Sequence, residues 1–275
     1  MVNMSIKSCC LTIAGSDSGG NAGVQADLRA FHAYGLHGCT VFTALTAQNP
    51  FGVSAIHAVP SDFVAAQLDA VLGVYSVKAL KTGMLADPAS VEVIADRLAK
   101  HPEIAKVIDP VMIATSGAKL ISDAATEVVK ARLLPLATLI TPNLPEAETL
   151  AGLRGEGRAA NVERAKDLAR RLYDRFGCVT LVKGGHGVNS AAVDVLFDGG
   201  AFAEFEAPWI ANPVSTHGTG CSLAAALAAE FALGRSVHDA VKGAKDFVHR
   251  AIEGSFLVGP DCGVLGFGRV CGGRS

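Results

Sequence analysis

The stretch "VSTHGTGCSLAAALAAEFALG", Val214–Gly234, places two glycines and a cysteine directly before a run of small, helix-forming side chains. The first N–H groups of a helix lack partners and carry partial positive charge, and glycines let an anionic oxygen approach them closely. Cys221 stands at this point, so we expect a lowered thiol pKa and a role as a base. The other interpretation is a glycine turn before a small buried cysteine. The alanines that follow predict close packing against a sheet or a ligand.

Short apolar runs alternate with helical patterns along the rest of the chain. The predicted strands are Leu11–Ala14, Cys39–Ala44, Val77–Thr82, Lys106–Asp109, Thr138–Thr141 and Val179–Val182. This alternation predicts an α/β fold, a central mostly parallel sheet with helices on both faces. Two further runs around "DGG" in Ala191–Pro208 predict an antiparallel hairpin. We expect one domain over residues 1–275, with a loose glycine-rich tail from about residue 262.

The composition narrows the classes of partner. The formal net charge is −2, which argues against nucleic acid or a membrane surface as the main partner. The seven cysteines show no CxxC pair, which is typical of reduced thiols in the cytosol. No segment reaches the ~18 apolar residues that span a bilayer, and the first apolar run reads as a strand rather than a signal peptide. The sequence therefore predicts a cytoplasmic protein.

Polar or glycine-rich residues follow every predicted strand, and the carboxyl ends of parallel strands meet at one cleft. The loop after the first strand resembles a dinucleotide fingerprint but lacks its G-x-G-x-x-G spacing. Gln48 and Asn49 stand where that motif has an acidic ribose ligand, and uncharged amides suit a neutral polar ring. Asp27, four residues after Gly23, could face the same pocket. The other interpretation of this loop is a tight turn with a capped helix.

Charged residues at later strand ends suit a bound phosphate. Asp109 and Glu146 offer oxygen ligands for Mg²⁺, although such residues are also common as caps or surface groups. Lys183 precedes two glycines and can point at a phosphate, whereas Lys245 either reaches into a site or extends to solvent. The chain has no Walker A motif. A Cys–His hydrolase built on His217 and Cys221 lacks a third, orienting group.

Seven ordered motifs together resemble the ribokinase superfamily, and more closely the hydroxymethylpyrimidine/phosphomethylpyrimidine kinases of thiamine biosynthesis. The motifs are "IAGSDSGGNAGVQADL", "TALTAQN", "KTGML", "DPVMIATSG", "TPNLPEAE", "VKGGH" and "STHGTGCSLAAALA". The resemblance implies a ribokinase-like three-layer sandwich and a homodimer. It also implies MgATP-dependent phosphorylation of 4-amino-5-hydroxymethyl-2-methylpyrimidine, and then of its monophosphate to the diphosphate.

The resemblance also implies roles for residues. The pyrimidine site would comprise Gly15, Asp27, Gln48, Met84 and Val111. ATP would be held by Asn143, Lys183, Thr216 and Thr219, and Mg²⁺ by Asp109 and Glu146. Catalysis would involve Gly218, Gly220, Cys221 and Lys245. Residues Ile113–Lys119 and the hairpin are candidates for a lid.

Three other functions compete with this one. A pyridoxine or pyridoxal kinase would share the fold and the glycine loop before Cys221. A dinucleotide-dependent oxidoreductase would use the first glycine loop, but the missing ribose acid argues against it. A nucleotide sensor without catalytic activity would bind ATP and release no ADP.

Overall fold

A nine-stranded sheet lies at the centre of the protein in the computed structural model, which describes residues 8–112, 120–153, 161–184 and 191–267. The strand order is β3-β2-β1-β4-β5-β6-β7-β8-β9, and the six strands from β2 to β7 in that order are parallel. Both edges, β3 on one side and β8 and β9 on the other, run antiparallel to their neighbours. The strands are β1 Cys9–Asp17, β2 His37–Asn49, β3 Gly52–Ala58, β4 Val77–Thr82, β5 Ala105–Ile108, β6 Leu139–Ile140, β7 Val179–Val182, β8 Ala191–Phe197 and β9 Phe202–Pro208.

Helices cover both faces of the sheet, which confirms the predicted three-layer architecture. The helices are α1 Gly23–Ala33, α2 Ser61–Leu72, α3 Pro88–Leu98, α4 Asp123–Val128, α5 Leu144–Ala151, α6 Val162–Phe176, α7 Thr219–Ala232 and α8 Val237–Glu253. One apolar core lies under α2 to α6, and a second lies under α1, α7 and α8. No helix in the described ranges is long and apolar enough to cross a membrane.

The alanine-rich helix α7 is buried between the sheet and its two neighbouring helices, α1 and α8. The fully buried alanines are Ala224, Ala225, Ala226, Ala228 and Ala229. A side chain of one methyl group lets the helix axis approach the sheet closely, and the carbonyl of Ala228 accepts a hydrogen bond from the Cys10 thiol in β1. The predicted close packing is confirmed, and the sheet is the partner.

The structure adds a strand that the sequence analysis did not predict. Strand β3 follows a turn at Asn49–Gly52 and pairs antiparallel with β2. Its residues are mostly exposed, so the strand lacks the apolar run by which a buried strand is found. The predicted hairpin is confirmed as β8 and β9.

The prediction of a loose tail from about residue 262 is wrong for residues 262–267. Cys262–Val264 form β11, which pairs with β10, Phe256–Gly259. Phe267 is buried and stacks on Phe247 of α8, with ring centroids 5.5 Å apart. The Arg29 guanidinium lies 4.4 Å from the Phe267 ring centroid and donates to the Leu265 carbonyl at 2.9 Å. Glycine-rich composition indicated mobility, but these packing contacts hold the segment in place.

Candidate functional site

A cavity of about 560 Å³ lies beyond the carboxyl ends of the parallel strands, as expected for an open α/β sheet. All the site residues predicted from the sequence line it, except Asp27 and Asn49. They are Gly15, Gln48, Met84, Asp109, Val111, Asn143, Glu146, Lys183, Thr216, Gly218, Thr219, Gly220, Cys221 and Lys245. Residues that lie as much as 230 positions apart in the chain (Gly15 and Lys245) are thus gathered at one place.

The N-terminus of α7 forms the floor of the cavity at Gly218, Gly220 and Cys221. Gly218 is the N-cap residue, with φ of 85° in the left-handed region, and as a glycine it has no side chain that could cap the helix. A Cβ at Gly218 would lie 1.8 Å from the Asn21 carbonyl oxygen, so the glycine loop after β1 and the helix start are in direct contact. The free N–H groups therefore remain available for an anionic ligand.

The predicted lowering of the Cys221 thiol pKa is wrong. Burial raises the pKa above its ordinary value, and the carboxylates of Asp27 and Asp109 act in the same direction. The Lys81 ammonium and the Gly23 N–H lower it but do not offset the burial. The prediction considered only the partial positive charge at the start of one helix. The free energy of removing a thiolate from water depends on all the groups around it. The resting group is therefore a neutral thiol.

Lys183 lies between two buried carboxylates. Its Nζ is 2.9 Å from Asp109 Oδ1, and the same oxygen accepts a hydrogen bond from the Thr141 hydroxyl at 3.1 Å. Burial acts to lower the pKa of Lys183, but Asp109 and Glu146 together raise it above its usual value. The lysine thus stays charged in the cavity, 3.6 Å from where a Cβ at Gly220 would lie.

Asn143 and Glu146 line the cavity and also cap helix α5. Asn143 Oδ1 accepts from the Glu146 N–H at 2.9 Å, and a Glu146 carboxylate oxygen accepts from the Asn143 N–H at 2.9 Å. Burial raises the pKa of Glu146, while Lys183 lowers it and Asp109 raises it further. Both interpretations of these residues, cap and cavity ligand, are thus compatible with the geometry.

Lys245 does reach the site, although it sits on a helix whose other inward residues are apolar. Its Nζ is 2.7 Å from Asp194 Oδ2, and both side chains are buried. Asp194, on β8, also accepts from the Gly184 N–H at 2.9 Å. Sequence reasoning missed Asp194, because an acidic residue within a hairpin strand gives no signal of an inward-facing role.

Asp27 is placed differently from the prediction. It is fully buried, does not line the cavity, and forms an ion pair with Lys81, whose Nζ is 2.9 and 3.1 Å from the two carboxylate oxygens. Thr12 donates a third hydrogen bond to it at 2.6 Å. Lys81, which the sequence analysis did not single out, does line the cavity. The prediction that Asp27 contacts the pyrimidine ring is therefore wrong, because its carboxylate is buried against Lys81.

Gln48 lines the cavity from β2, and five strands of the sheet separate it from β8, whose Asp194 binds Lys245. Its backbone N–H donates to the Ser18 hydroxyl, which in turn donates to the Gln48 carbonyl, both at 2.8 Å. Asn49 was predicted to share the ring contact, but it is exposed and its side chain accepts from the Phe51 N–H at 2.9 Å. Asn49 stabilises the turn into β3 and does not line the cavity.

Asp17 organises the glycine loop, a role that the sequence analysis missed. Its carboxylate accepts from the N–H groups of Gly19, Asn21 and Ala22 at 2.8 to 3.0 Å. Burial acts to raise the pKa of Asp17, but His217 and these N–H groups lower it below its ordinary value. The Asp17 carboxylate therefore remains ionised and holds the loop against the cavity.

His217 faces Asp17, with 3.8 Å between His217 Nε2 and Asp17 Oδ2. Within the described residues, no hydrogen bond joins His217 to Cys221. This geometry does not support the hydrolase alternative, which needs His217 to accept the Cys221 proton directly.

An apolar wall lines the cavity beside helix α8, which carries Lys245. Its members come from the end of β9, the segment after it, and α8. They are Pro208, Trp209, Ile210, Pro213, Val248 and Ile252. Trp209 is the one tryptophan in the sequence, and it is 53 % exposed. A planar aromatic surface in the same cavity as two cationic side chains suits a nucleotide base and its phosphates.

Parts of two motifs lie outside the described residues. These parts are the end of "DPVMIATSG" and the last two residues of "VKGGH". The lid candidate Ile113–Lys119 also lies there and stays a prediction. The second lid candidate, the hairpin, contributes Ala192 and Ala207 to the cavity wall.

This chain is similar to known proteins over most of its length. A family model described as phosphomethylpyrimidine kinase matches residues 17–265. The hydroxymethylpyrimidine/phosphomethylpyrimidine kinase of Synechococcus elongatus is 46 % identical over 257 residues, covering 93 % of this chain and 95 % of that protein. The crystal structure of Bacillus subtilis pyridoxal kinase with ADP has a TM-score of 0.86 at 34 % identity, covering 95 % of this chain and 97 % of that one.

Another relative is about twice as long as this chain. The thiamine biosynthesis bifunctional protein ThiED of Geobacter sulfurreducens is 47 % identical over 243 residues. The match covers 88 % of this chain but 49 % of that protein, so the chain spans about half its length.

Proposed function

Because the chain belongs to the phosphomethylpyrimidine kinase family, we propose that it is an MgATP-dependent kinase of thiamine biosynthesis. Its first substrate is 4-amino-5-hydroxymethyl-2-methylpyrimidine, and its second is the monophosphate, which becomes the diphosphate. One observation carries the proposal: the glycine-headed start of α7, a helix packed on the central strands β1, β4 and β5, lines one cavity with Gln48 of β2 on one side of the sheet and with Lys183 and Lys245, beside β7 and β8, on the other. We further propose that the 275 residues form one kinase domain.

The two ends of the cavity suit the two substrates. Gln48 and the backbone at Gly15 offer hydrogen bonds, and Met84 and Val111 offer apolar surface, to an uncharged aminopyrimidine. The apolar wall with Trp209 would receive the adenine, so the phosphates would extend over Lys245 and Lys183 toward α7. Thr216 and Thr219 lie beside that path. The hydroxymethyl group and the terminal phosphate then meet above Cys221.

The transfer step follows from this arrangement. The hydroxyl oxygen attacks the γ-phosphorus, the bond from that phosphorus to the bridging oxygen breaks, and ADP leaves. The hydroxyl proton passes to the Cys221 sulfur in its thiolate form. The N–H groups of Gly218 and Gly220 and the two lysines stabilise negative charge on the phosphoryl oxygens, because positioning and charge neutralisation supply most of the catalysis in phosphoryl transfer.

Asp109 and Glu146 fit the requirements for Mg²⁺, as two buried carboxylates on the cavity wall beside a charged lysine. Within the described ranges, no group of three or more His, Cys, Asp or Glu side chains could hold a metal ion. Mg²⁺ takes one or two carboxylates and completes its shell with phosphate oxygens and water. Bound there, the ion would neutralise charge on the ATP phosphates.

The function is tested by incubating the protein with MgATP and the hydroxymethylpyrimidine, and following the masses of the products. We expect the monophosphate to form first and then decline as the diphosphate accumulates, with one ADP released per transfer. Omission of the pyrimidine controls for unproductive ATP hydrolysis. ATP binding without pyrimidine-dependent ADP release would instead identify a nucleotide sensor.

A pyridoxal kinase activity is the second candidate, favoured by the TM-score of 0.86 with the Bacillus subtilis pyridoxal kinase. Parallel reactions with pyridoxal and pyridoxine, at the same concentrations, separate the two functions. Phosphorylation of these pyridines alone would refute the pyrimidine assignment.

We propose that the protein is a homodimer that pairs through β3 and the adjacent helix α2. Large apolar side chains are exposed there: Leu45, Phe51, Ile56 and Phe63. An exposed edge strand with apolar side chains tends to associate unless it is covered. Light scattering should give twice the chain mass of 28.2 kDa, and Ile56→Lys should reduce it to one chain. A wild-type mass of one chain would contradict the proposal.

We also propose a cytoplasmic location. Within the described residues, Cys9, Cys10, Cys39, Cys178, Cys221 and Cys262 are free thiols. Free thiols are stable in a reducing compartment. Fractionation of the source cells should therefore recover the protein with cytoplasmic markers.

A further inference from the structure

A fully buried ion pair lies beside the reaction site. Asp27 on α1 and Lys81 on β4 are both inaccessible to solvent, and their charged atoms are 2.9 Å apart at the closest. Thr12 on β1 completes the set by donating to Asp27 at 2.6 Å. Three elements of the fold thus combine to hold one ammonium group in a fixed position.

Stability alone does not account for this pair. Removing two charges from water costs several kcal/mol each, roughly what their attraction returns, and apolar side chains of similar volume often replace such pairs without loss. Lys106 on β5 is a buried lysine whose Nζ donates hydrogen bonds to the backbone carbonyls of His101 and Ile104. It lies at the opposite end of the strands from the cavity. The placement of Lys81 needs another reason.

Lys81 differs from Lys106 because it borders the cavity. It lines the cavity wall together with Cys221 and Asp109. Gly83 makes room for it: a Cβ at Gly83 would lie 2.7 Å from Lys81 Nζ. Any side chain at that position would displace the ammonium, so the backbone of the "KTGML" motif is shaped around it.

Four charged side chains act on the Cys221 sulfur. The Lys81 ammonium favours a negative sulfur, and Asp27 and Asp109 oppose it. Lys183, which is paired with Asp109, also interacts with the sulfur. Burial is the largest influence and favours the neutral thiol. Lys81 is therefore the main side chain that opposes the effect of burial on Cys221.

We propose that Lys81 is a positioning residue that stabilises negative charge on the Cys221 sulfur, and that Asp27 holds its ammonium in place. The link to catalysis rests on the proposed function, in which Cys221 accepts the substrate proton. The electrostatic link between Lys81 and Cys221 stands independently of that function. Asp27 thus acts on the site through Lys81, without contact with the pyrimidine.

The reactivity of the thiol tests the proposal without any kinase assay. The double variant Lys81→Met/Asp27→Asn removes both charges and leaves no unpaired buried ion. Because the variant removes the larger effect of Lys81 together with the smaller, opposing effect of Asp27, we expect iodoacetamide to alkylate Cys221 about fivefold more slowly at pH 8. Peptide mass mapping separates Cys221 from the other cysteines, and thermal melting confirms the fold.

Lys106→Met is the matched control, since it also removes a buried lysine from an adjacent strand. We expect its alkylation rate at Cys221 to stay within about twofold of wild type. Equal rates in the double variant and the wild type would overturn the proposal. So would a slowing of the same size in the Lys106 control, because general loosening of the sheet would then explain both.

Turnover separates this inference from the proposed function. We expect the double variant to lower kcat about fivefold, the same factor as for alkylation, with little change in the KM of either substrate, and to have no further effect in a Cys221→Ala background. Slower alkylation with unchanged kcat would support the link between Lys81 and Cys221 but refute the role of Cys221 as base. An equal additional loss in the Cys221→Ala background would refute the proposed action through the thiol.

Discussion

We expect the Cys221→Ala variant to phosphorylate the hydroxymethylpyrimidine at least about 100-fold more slowly than wild type, with little change in substrate KM. The thiolate accepts the proton that the attacking hydroxyl loses, and alanine offers no acceptor. The residue lines the cavity at the start of α7, where the hydroxyl and the terminal phosphate would meet. Quenched-flow or steady-state assays of monophosphate formation measure the effect.

The second transfer provides an internal control for this prediction. The nucleophile there is a phosphate oxygen of the monophosphate, which is already ionised near neutral pH because its second pKa is about 6. It has no proton to give to Cys221. Cys221→Ala should therefore slow the second step by less than about tenfold. Equal losses in both steps would indicate that Cys221 supports the structure of the site and not proton transfer.

The pH dependence follows from the raised thiol pKa. Because burial raises the pKa of Cys221, the thiolate fraction is small at neutral pH and grows as pH increases. The kcat of the first step should therefore keep rising as the pH increases past the ordinary pKa of a thiol. Cys221→Ala should remove this rise. Cys262→Ala, at a half-buried cysteine in β11, is the matched control and should keep the wild-type profile. Near-normal turnover in Cys221→Ala would reassign the cysteine to packing.

The second large effect is expected from Gly218→Ala. The new Cβ would lie 1.8 Å from the Asn21 carbonyl oxygen, and the backbone φ of 85° disfavours any side chain. The glycine loop and the start of α7 must then separate, which moves the N–H groups away from the phosphates. A displacement of about 1 Å at such a site can cost 100-fold, so we expect kcat/KM for MgATP to fall by at least about that factor.

Gly234→Ala controls for the backbone strain alone. Gly234 follows α7, is exposed, and has a similar φ of 78°, but nothing lies within 4 Å of its Cβ position. Both variants should lose about 1 kcal/mol or more of stability, measured by chemical denaturation, and Gly234→Ala should keep full activity. Comparable activity in the two variants would show that the contact with Asn21 is not needed for phosphate binding.

The parallel core of the fold was predictable because its strands are buried on both faces. Such strands appear as near-continuous apolar runs, as in Val179–Val182, and the structure reproduces the predicted bounds of this strand and of Val77–Thr82. Strand β3 was missed because it is exposed at the sheet edge and carries no such run. The segment at 262–267 was misjudged because its order depends on Arg29 and on α8, which are distant in sequence.

The candidate site was predictable to the extent that it follows strand ends. Asp109 and Lys183 follow β5 and β7 directly, Gln48 is the second-last residue of β2, and Glu146 lies in the first turn of α5; all four line the cavity. Asp194 and Lys81 lie within strands, where a single polar residue does not reveal the direction of its side chain. These two residues could be found from the sequence only by first predicting which charged side chains are buried and then asking which partners of opposite charge they need.

The order of the apolar runs and of the polar groups after them specifies a parallel sheet and its carboxyl edge, so the cleft and most of its lining residues were predictable from the amino-acid sequence. Which of those side chains face the cavity, and which charge they carry, depends on the folded chain. The ion pairs Lys81–Asp27, Lys245–Asp194 and Lys183–Asp109 join residues 54, 51 and 74 positions apart. Ionisation depends on the distance between charges and on the exclusion of water, and both arise from segments that meet only in the folded chain.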